Sequence, residues 1–295
     1  MSVFLPYGLR NGRLVHINEV EQGLACDCIC PACEAPLVAK KGVRNRHHFA
    51  HEAGGGCNGG LETALHLRAK EILSEQRKLR LPPVYLSNRK QPIFPAVMIP
   101  LDQVWVERRA GGLVPDLLVR SGQRRLLVEI AVHHPCTEEK LRGIRRLGYA
   151  ALEIDFLDLS QGLKAHGVLE DQKLINRLIN GAERKSWLFN PRRNALEVEL
   201  RRIAERRRVQ HHFDGRWHYY RVAPCPAFRR VRELNPFKRY SYAWVFQDCL
   251  HCPYALEIRY EQSYQGYREV PGLPGEVWCW GDQPDILDKW LGGKR

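Results

Sequence analysis

The chain has 295 residues, 44% of them hydrophobic, with Lys+Arg 46 against Asp+Glu 33 and a net charge of +13. That composition supports real cores and excludes a disordered chain, a coiled coil or a collagen-like fibre; no apolar run approaches the ~18 residues of a membrane span. The charge is uneven: residues 184–245 hold sixteen Lys/Arg against five Asp/Glu, a balance that suits a polyanion, most often nucleic acid, although a soluble protein of high pI has the same totals.

The start, Met1-Ser2-Val3-Phe4-Leu5-Pro6, lacks the basic and apolar regions of a secretory signal, so a cytoplasmic location is expected, with no membrane partner. In a reducing compartment ten cysteines point to metal rather than disulfides. Residues 3–57 read as a small, Gly-punctuated, Cys/His-rich β module. An amphipathic helix is expected over 61–79, with Leu61, Leu65, Ile72 and Leu79 on its apolar stripe. Residues 80–112 read as extended, with a strand at 104–108. Strands at 113–120 and 124–133 flank a turn at Ser121-Gly122-Gln123. Thr137 can cap a helix to Leu147, closed by Gly148, and a strand follows at 149–157. Helices are expected at 168–186 and 194–210, the second very basic. From 211 the chain is rich in aromatics, Pro and Cys.

Cys30-Pro31-Ala32-Cys33 is a tight knuckle, and His48-Phe49-Ala50-His51 follows after 14 residues, with Cys57 beyond. Two thiolates two residues apart reach one tetrahedral Zn²⁺, and a downstream pair completes it. Leu37 to Gly42 reads as a hairpin that brings the halves together. Cys30, Cys33, His51 and Cys57 are the expected ligands, with His48 the main rival and Cys26 and Cys28 nearby. The ion would be structural, because a module this small needs a staple.

A two-residue turn at Gly122-Gln123 sets Asp116 directly opposite Glu129. Opposed residues share a face, and two carboxylates that close repel unless a cation lies between them. Oxygen ligands of this kind suit Mg²⁺ or Mn²⁺, which can generate hydroxide and stabilise a phosphoryl transition state. Two exposed acids on a solvated face are the plainer alternative. Glu62, His66 and Lys70, at i, i+4 and i+8, form a polar stripe that can bring a third acid. Glu153 and Asp155, on one face of the next strand, read as surface charges.

Cys249-Leu250-His251-Cys252 is a second knuckle. Cys225 stands 23 intervening residues before it and Cys279 26 after it, compatible with a second structural Zn²⁺; a redox Cys-x-x-Cys is the rival, without the βαβ context it needs. Trp217, Tyr219, Tyr220, Phe228, Tyr240, Tyr242 and Trp244 alternate with arginines. Such rings can stack on unpaired bases, but alternation is expected to send most of them to a core and the arginines to solvent. Arg201, Arg202, Arg206, Arg207 and Arg208 of the basic helix are the expected phosphate contacts.

Taken in order, Cys-Pro-Ala-Cys, Leu37-Val-Ala-Lys-Lys-Gly42, His47-His-Phe-Ala-His51 and Glu62-Thr-Ala-Leu-His-Leu-Arg-Ala-Lys70 resemble the N-terminal half of the competence protein CoiA family. The hairpin Pro115-Asp116 … Glu129-Ile130-Ala131 is similar to the core of the PD-(D/E)XK nuclease superfamily. The resemblance covers roughly residues 3–160. It implies a zinc-ribbon-like module over 1–58 beside a restriction-endonuclease-like PD-(D/E)XK domain over 59–165; with the residue pattern beyond it, the whole reads as an α/β chain that adds a basic helical segment over 166–212 and a small Cys-containing zinc-ribbon-like β module over 213–295. The resemblance implies a metal-dependent nuclease that hydrolyses phosphodiester bonds of single- or double-stranded DNA, with structural zinc and catalytic Mg²⁺ or Mn²⁺. Asp116 and Glu129 match the metal-binding acids, Glu62 the acid of the first helix, and the carbonyl of Ile130 a further ligand. Ala131 stands where the superfamily has a lysine. His133, if its strand continues, or Lys140, reaching back from the next helix, can substitute. If neither does, the chain is a weak or inactive nuclease fold that binds DNA as an adaptor.

Overall fold

The structure, a computed structural model, describes residues 4–43, 46–54, 57, 59–86, 89–166, 171–227, 229–235, 238–265 and 268–292; of these, 162–166, 233–235, 238–239, 262–265 and 268–271 are described by their backbone alone. The chain divides into two compact units, Met1–Pro83 with Ala96–Pro191 and Val84–Pro95 with Arg192–Arg295. Among the described residues no helix is long and apolar enough to cross a membrane.

The first unit opens with β1 (Tyr7–Arg10) and β2 (Arg13–His16), joined at Asn11-Gly12, where both φ angles are positive, as a two-residue hairpin turn requires. With β3 (Gly23–Ile29), β4 (Pro36–Lys40) and β5 (His48–His51) they form an antiparallel sheet in the order β2-β1-β3-β4-β5. Helix α1 (Gly60–Gln76) follows and buries Leu61, Ala64, Leu65, Ala69, Ile72 and Leu73, spaced three or four apart along one side. It ends three residues earlier than the periodicity predicts. Arg77 turns left-handed (φ 47°) and donates its N–H to Leu73 O, and Leu79 is buried instead in β6 (Lys78–Leu81), paired with β7 (Val97–Pro100).

A second five-stranded sheet is built from β8 (Gln103–Val106), β9 (Leu117–Ser121), β10 (Arg124–Ala131), β11 (Ala150–Asp155) and β12 (Lys185–Phe189), in the order β12-β11-β10-β9-β8. The β9–β10 hairpin closes at Gly122 (φ 57°) with the expected register, Leu117 opposite Val128 and Leu118 opposite Leu127. From β10 the chain crosses through α2 (Glu138–Leu147) to β11, which runs parallel to β10. Thr137 Oγ accepts from the Lys140 N–H to start α2, and left-handed Gly148 ends it. After β11 come α3 (Leu157–His166) and α4 (Asp171–Ile175). The helix expected over 168–186 gives way at Gly181, and the β-forming run Trp187-Leu188-Phe189 is taken by β12. Leu5, Tyr7 and Phe49 of the Cys/His segment pack in the same core as Leu65 and Ile72 of α1 and Val128 and Ile154 of the second sheet. The segment over 1–58, too small to bury a core alone, thus draws its core from α1 and β10–β11.

The second unit contains α5 (Pro191–Ile203), β13 (Glu205–Arg208), β14 (Gln210–Phe213), β15 (His218–Val222), β16 (Arg230–Asn235), β17 (Lys238–Trp244), β18 (Ala255–Gln265), β19 (Arg268–Cys279) and α6 (Ile286–Gly292). They form one sheet ordered β13-β19-β18 and one ordered β14-β15-β17-β16. Two expectations are corrected here. The basic helix stops at Ile203; Arg206, Arg207 and Arg208 lie in β13 against β19, where the two-residue period turns Arg207 inward and its neighbours outward. In β17 the alternation runs opposite to the expected sense. Ser241, Ala243 and the following Val245 are buried, so Tyr240, Tyr242 and Trp244 occupy the other, half-exposed face.

Candidate metal centre and acid pair

The knuckle is closed by backbone bonds, Glu34 N–H to Cys30 O and Cys30 N–H to Ala35 O, both 2.9 Å. The β4–β5 pairing, Leu37 opposite His51, carries the histidine back beside it, and Cys57 returns just before α1. Cys30 Sγ lies 3.5 Å from Cys57 Sγ, and Cys33 Sγ 3.2 Å from His51 Nε2. The four ligand atoms all lie within 4.8 Å of one another. A tetrahedral zinc with bonds of ~2.3 Å to sulfur sets its ligand atoms roughly 3.8 Å apart, so these residues fit the ion. Gly60 adds a second indication: a Cβ there would stand 3.1 Å from Cys57 Sγ and 3.2 Å from Cys30 Sγ. The Ala35 N–H lowers the Cys33 thiol to about 7, while burial pushes Cys30 up to about 11. Metal binding would deprotonate both.

His48, the rival ligand, is turned elsewhere. Its Nδ1 bonds Arg46 O at 2.7 Å and its ring packs edge-on against Phe4. Cys26 and Cys28 are buried on β3, their thiols on the carbonyls of Leu37 and Cys26. Among the described residues, the Cys30–Cys33–His51–Cys57 group is the one metal-ready set of three or more such side chains.

Asp116 and Glu129 meet at the open end of the β9–β10 hairpin. Ile130 N–H donates to Asp116 Oδ2 at 2.8 Å, which locks the acid across the ladder. From α1, His66 Nδ1 and Lys70 Nζ each stand 3.3 Å from Asp116 Oδ1. Burial pushes Asp116 up, but the His66 bond, the Ile130 N–H and Lys70 outweigh it and hold the carboxyl at about 2. Glu129, only 8% exposed, is the opposite case. Burial raises its pKa although Lys140 Nζ sits 2.6 Å from Oε2. Its other oxygen, Oε1, is buried without a hydrogen-bond partner, a position a cation would satisfy.

The expected third acid does not join them. Among the described residues Glu62 makes no hydrogen bond or ion pair to Asp116 or Glu129; the other two members of its stripe, His66 and Lys70, reach Asp116 instead. β10 ends at Ala131, so His133 lies beyond the strand, and Lys140 is the side chain that meets Glu129. The sequence reading missed Glu107. It follows β8 with a left-handed φ of 49°, a strained conformation for a non-glycine residue, and accepts from Lys70 Nζ at 2.7 Å. Glu153 and Asp155 are not idle surface charges. Glu153 accepts from Cys136 N–H, and Asp155 accepts from Leu157 N–H at the start of α3 and pairs with Arg184.

In the second unit, Cys225, Cys249, Cys252 and Cys279 are all buried and line one cavity with Arg207 and Arg229, but, unlike the first cluster, they are not gathered into a metal-ready set. Burial raises Cys249 to about 12, the wrong direction for a redox thiol. Among the basic residues expected to contact phosphate, Arg207 is buried and bonded to Pro224 O and Asp282. Arg201 pairs with Glu257, Arg202 with Glu199 and Arg206 with Glu276 at the surface; Arg208 is exposed. They do not form one helical stripe, because two lie on α5 and three on β13.

No curated protein and no solved structure matches the chain. One family model does, that of the competence protein CoiA, N-terminal domain, over residues 16–59. The match spans β3 to β5 and every ligand of the thiol cluster. Over those residues the Cys/His module is similar to the N-terminal domain of the competence protein CoiA.

Proposed function

We propose that the chain is a DNA-processing protein of the PD-(D/E)XK type, in which Asp116 and Glu129 hold Mg²⁺ or Mn²⁺ for hydrolysis of a phosphodiester backbone. The observation that carries this reading is the buried, unpaired Glu129 Oε1 beside an ionised Asp116. The hairpin–helix–parallel strand order of β9, β10, α2 and β11 agrees with such a core. When bound, the metal would supply an activated water and charge neutralisation at phosphate. His66, Lys70 and the Ile130 N–H keep Asp116 ionised at neutral pH. Lys140 holds Glu129 toward its ionised form and supplies the ammonium that Ala131 lacks, which suits stabilisation of charge on a phosphate. The reading includes structural zinc in the thiol cluster and a second zinc among Cys225, Cys249, Cys252 and Cys279. It also includes the division into segments 1–58, 59–165, 166–212 and 213–295, and action in the cytoplasm.

A second reading has its own observation. Lys70 and His66 already occupy Asp116 Oδ1, and Lys140 occupies Glu129 Oε2, so the pair is stable without a divalent ion and the chain can bind DNA as an adaptor. One experiment separates the two. The protein and its Glu129→Ala variant are incubated with linear duplex, single-stranded and branched DNA in Mg²⁺ or Mn²⁺, and zinc is counted in both. The nuclease reading expects cleavage by the wild type only, unchanged DNA affinity in the variant, and two zinc ions per chain. Intact substrates with retained binding would leave the adaptor.

A further inference from the structure

Strands β15, β16 and β17 collect rings and guanidinium groups on one face. Trp244 pairs with Arg221, Tyr242 with Arg230 and Tyr240 with Arg232, and directly opposed residues of antiparallel strands share a face. The intervening residues Val222, Ser241 and Ala243 are buried on the other side, where Val222 and Ala243 pack on the cysteine core. The aromatic face is therefore not needed for the unit's own core.

The rings are contiguous. Tyr240 and Tyr242 lie near-parallel with centroids 6.1 Å apart, Trp244 stands edge-on to Tyr242 at 5.4 Å, and Tyr219 extends the row at 5.2 Å. Arg221 sits 5.7 Å over the Tyr240 ring. Arg230 is neutralised by Asp248 at 2.6 Å, but among the described residues neither Arg221 nor Arg232 meets a carboxylate. Rings of this kind also occur at protein interfaces. The charge decides between the two occupants: the surrounding stretch 184–245 is the most basic part of the chain, which favours a polyanion over a protein surface of mixed charge. A duplex keeps its base faces inside its own stack, whereas an unpaired strand can lay them on tyrosine and tryptophan.

We propose that this face of β15–β17 binds single-stranded nucleic acid without sequence preference, its bases on Tyr240, Tyr242 and Trp244 and its phosphates on Arg221 and Arg232. The site is separate from the acid pair and requires no cleavage.

The test titrates the full-length protein, without added Mg²⁺ or Mn²⁺, against fluorescent (dT)₂₀, (rU)₂₀ and a 20-base-pair duplex, read by anisotropy. At least one single strand should bind more tightly than the duplex, and the ranking of the two names the source of the strand. Tyr242→Ala should weaken that binding about tenfold, whereas Tyr242→Phe, which keeps the ring, should stay within about twofold. Arg232→Gln, at an exposed position that tests the face without disturbing a core, should lower the slope of log affinity against log salt by about 0.7, one phosphate contact on a single strand. Duplex bound as tightly as either strand, no binding at all, or wild-type affinity and salt slope in Tyr242→Ala and Arg232→Gln would overturn the proposal. Because cleavage is not read, an inactive acid pair leaves the result untouched.

Discussion

The thiol cluster and the acid pair lie beside one hydrophobic core and differ in what balances them. Cys30, Cys33, His51 and Cys57 bring their ligand atoms together, and among the described residues no charged side chain is paired with them. Asp116 and Glu129 are each met by side chains of the chain itself, His66 and Lys70 on the one and Lys140 on the other. Thiols so gathered can hold a structural metal such as zinc. The acids are balanced in part by the chain's own side chains, and Glu129 Oε1 is the oxygen left for a further cation. On the nuclease reading, removing metal should therefore act on folding at the first site and on chemistry alone at the second.

The largest expected effect sharpens that contrast. Cys57→Ser should release one equivalent of zinc, and chelation of the wild type both; either should lower apparent stability by several kcal/mol, read by calorimetry with metal analysis. Because Leu5, Tyr7 and Phe49 share the core with α1 and β10–β11, the loss should spread through the first unit rather than melt β1–β5 alone. Melting confined to residues 4–57 would break this link. The same chelator should leave Glu129→Ala and wild type equally stable relative to each other.

Next in size is Lys140→Met, which tests whether the lysine serves the acid pair as more than a counter-ion. On the nuclease reading the cleavage rate should fall about 10²-fold, the usual cost of losing one charge-stabilising donor. The pH profile should move as well. Burial and Asp116 both raise the Glu129 pKa and Lys140 opposes them, so without Lys140 the acid limb of the rate profile shifts to higher pH. A rate loss without that shift would confine Lys140 to the phosphate.

Asp116 makes a smaller, opposite prediction for stability. Its folded pKa of about 2 lies below the unfolded value. It therefore stabilises the fold above about pH 4, and that contribution is lost as pH falls toward 2. Asp116→Asn should flatten this part of the acid denaturation curve, measured by urea unfolding at several pH values. Glu129→Gln should change it in the reverse sense, since its folded pKa is raised.

Much of this was legible in the chain, for identifiable reasons. Gly122 fixes the hairpin register and Thr137 and Gly148 bound α2, because caps and positive-φ turns are local chemistry. The choice of His51 over His48 depended on which strand face the β4–β5 register presents, which spacing alone left open. Glu107 was out of reach because its partner Lys70 is 37 residues away and its left-handed φ leaves no mark in composition. The rings of β17 were assigned to the wrong face since alternation gives two faces without saying which one the core takes; the small residues Ser241 and Ala243, packed where Cys225 also lies, decided it.

The smallest effect is the finest test of the thiol site. Gly60 opens α1, and alanine there should gain up to about 0.5–1 kcal/mol of helix propensity. Its Cβ would also sit 3.1 Å from Cys57 Sγ, 3.2 Å from Cys30 Sγ and 3.3 Å from Leu5 Cδ2. These contacts are tighter than a relaxed carbon allows. In the metal-free protein the thiols can give way, and Gly60→Ala should be neutral or slightly stabilising. Zinc instead fixes both sulfurs at roughly 2.3 Å from one centre, so they cannot retreat and the crowding must appear as weaker metal binding. A competition titration with a chromophoric chelator should therefore show a lower zinc affinity for Gly60→Ala with no loss of metal-free stability. Equal affinities would mean that the two sulfurs do not converge on a common ion beside the start of α1.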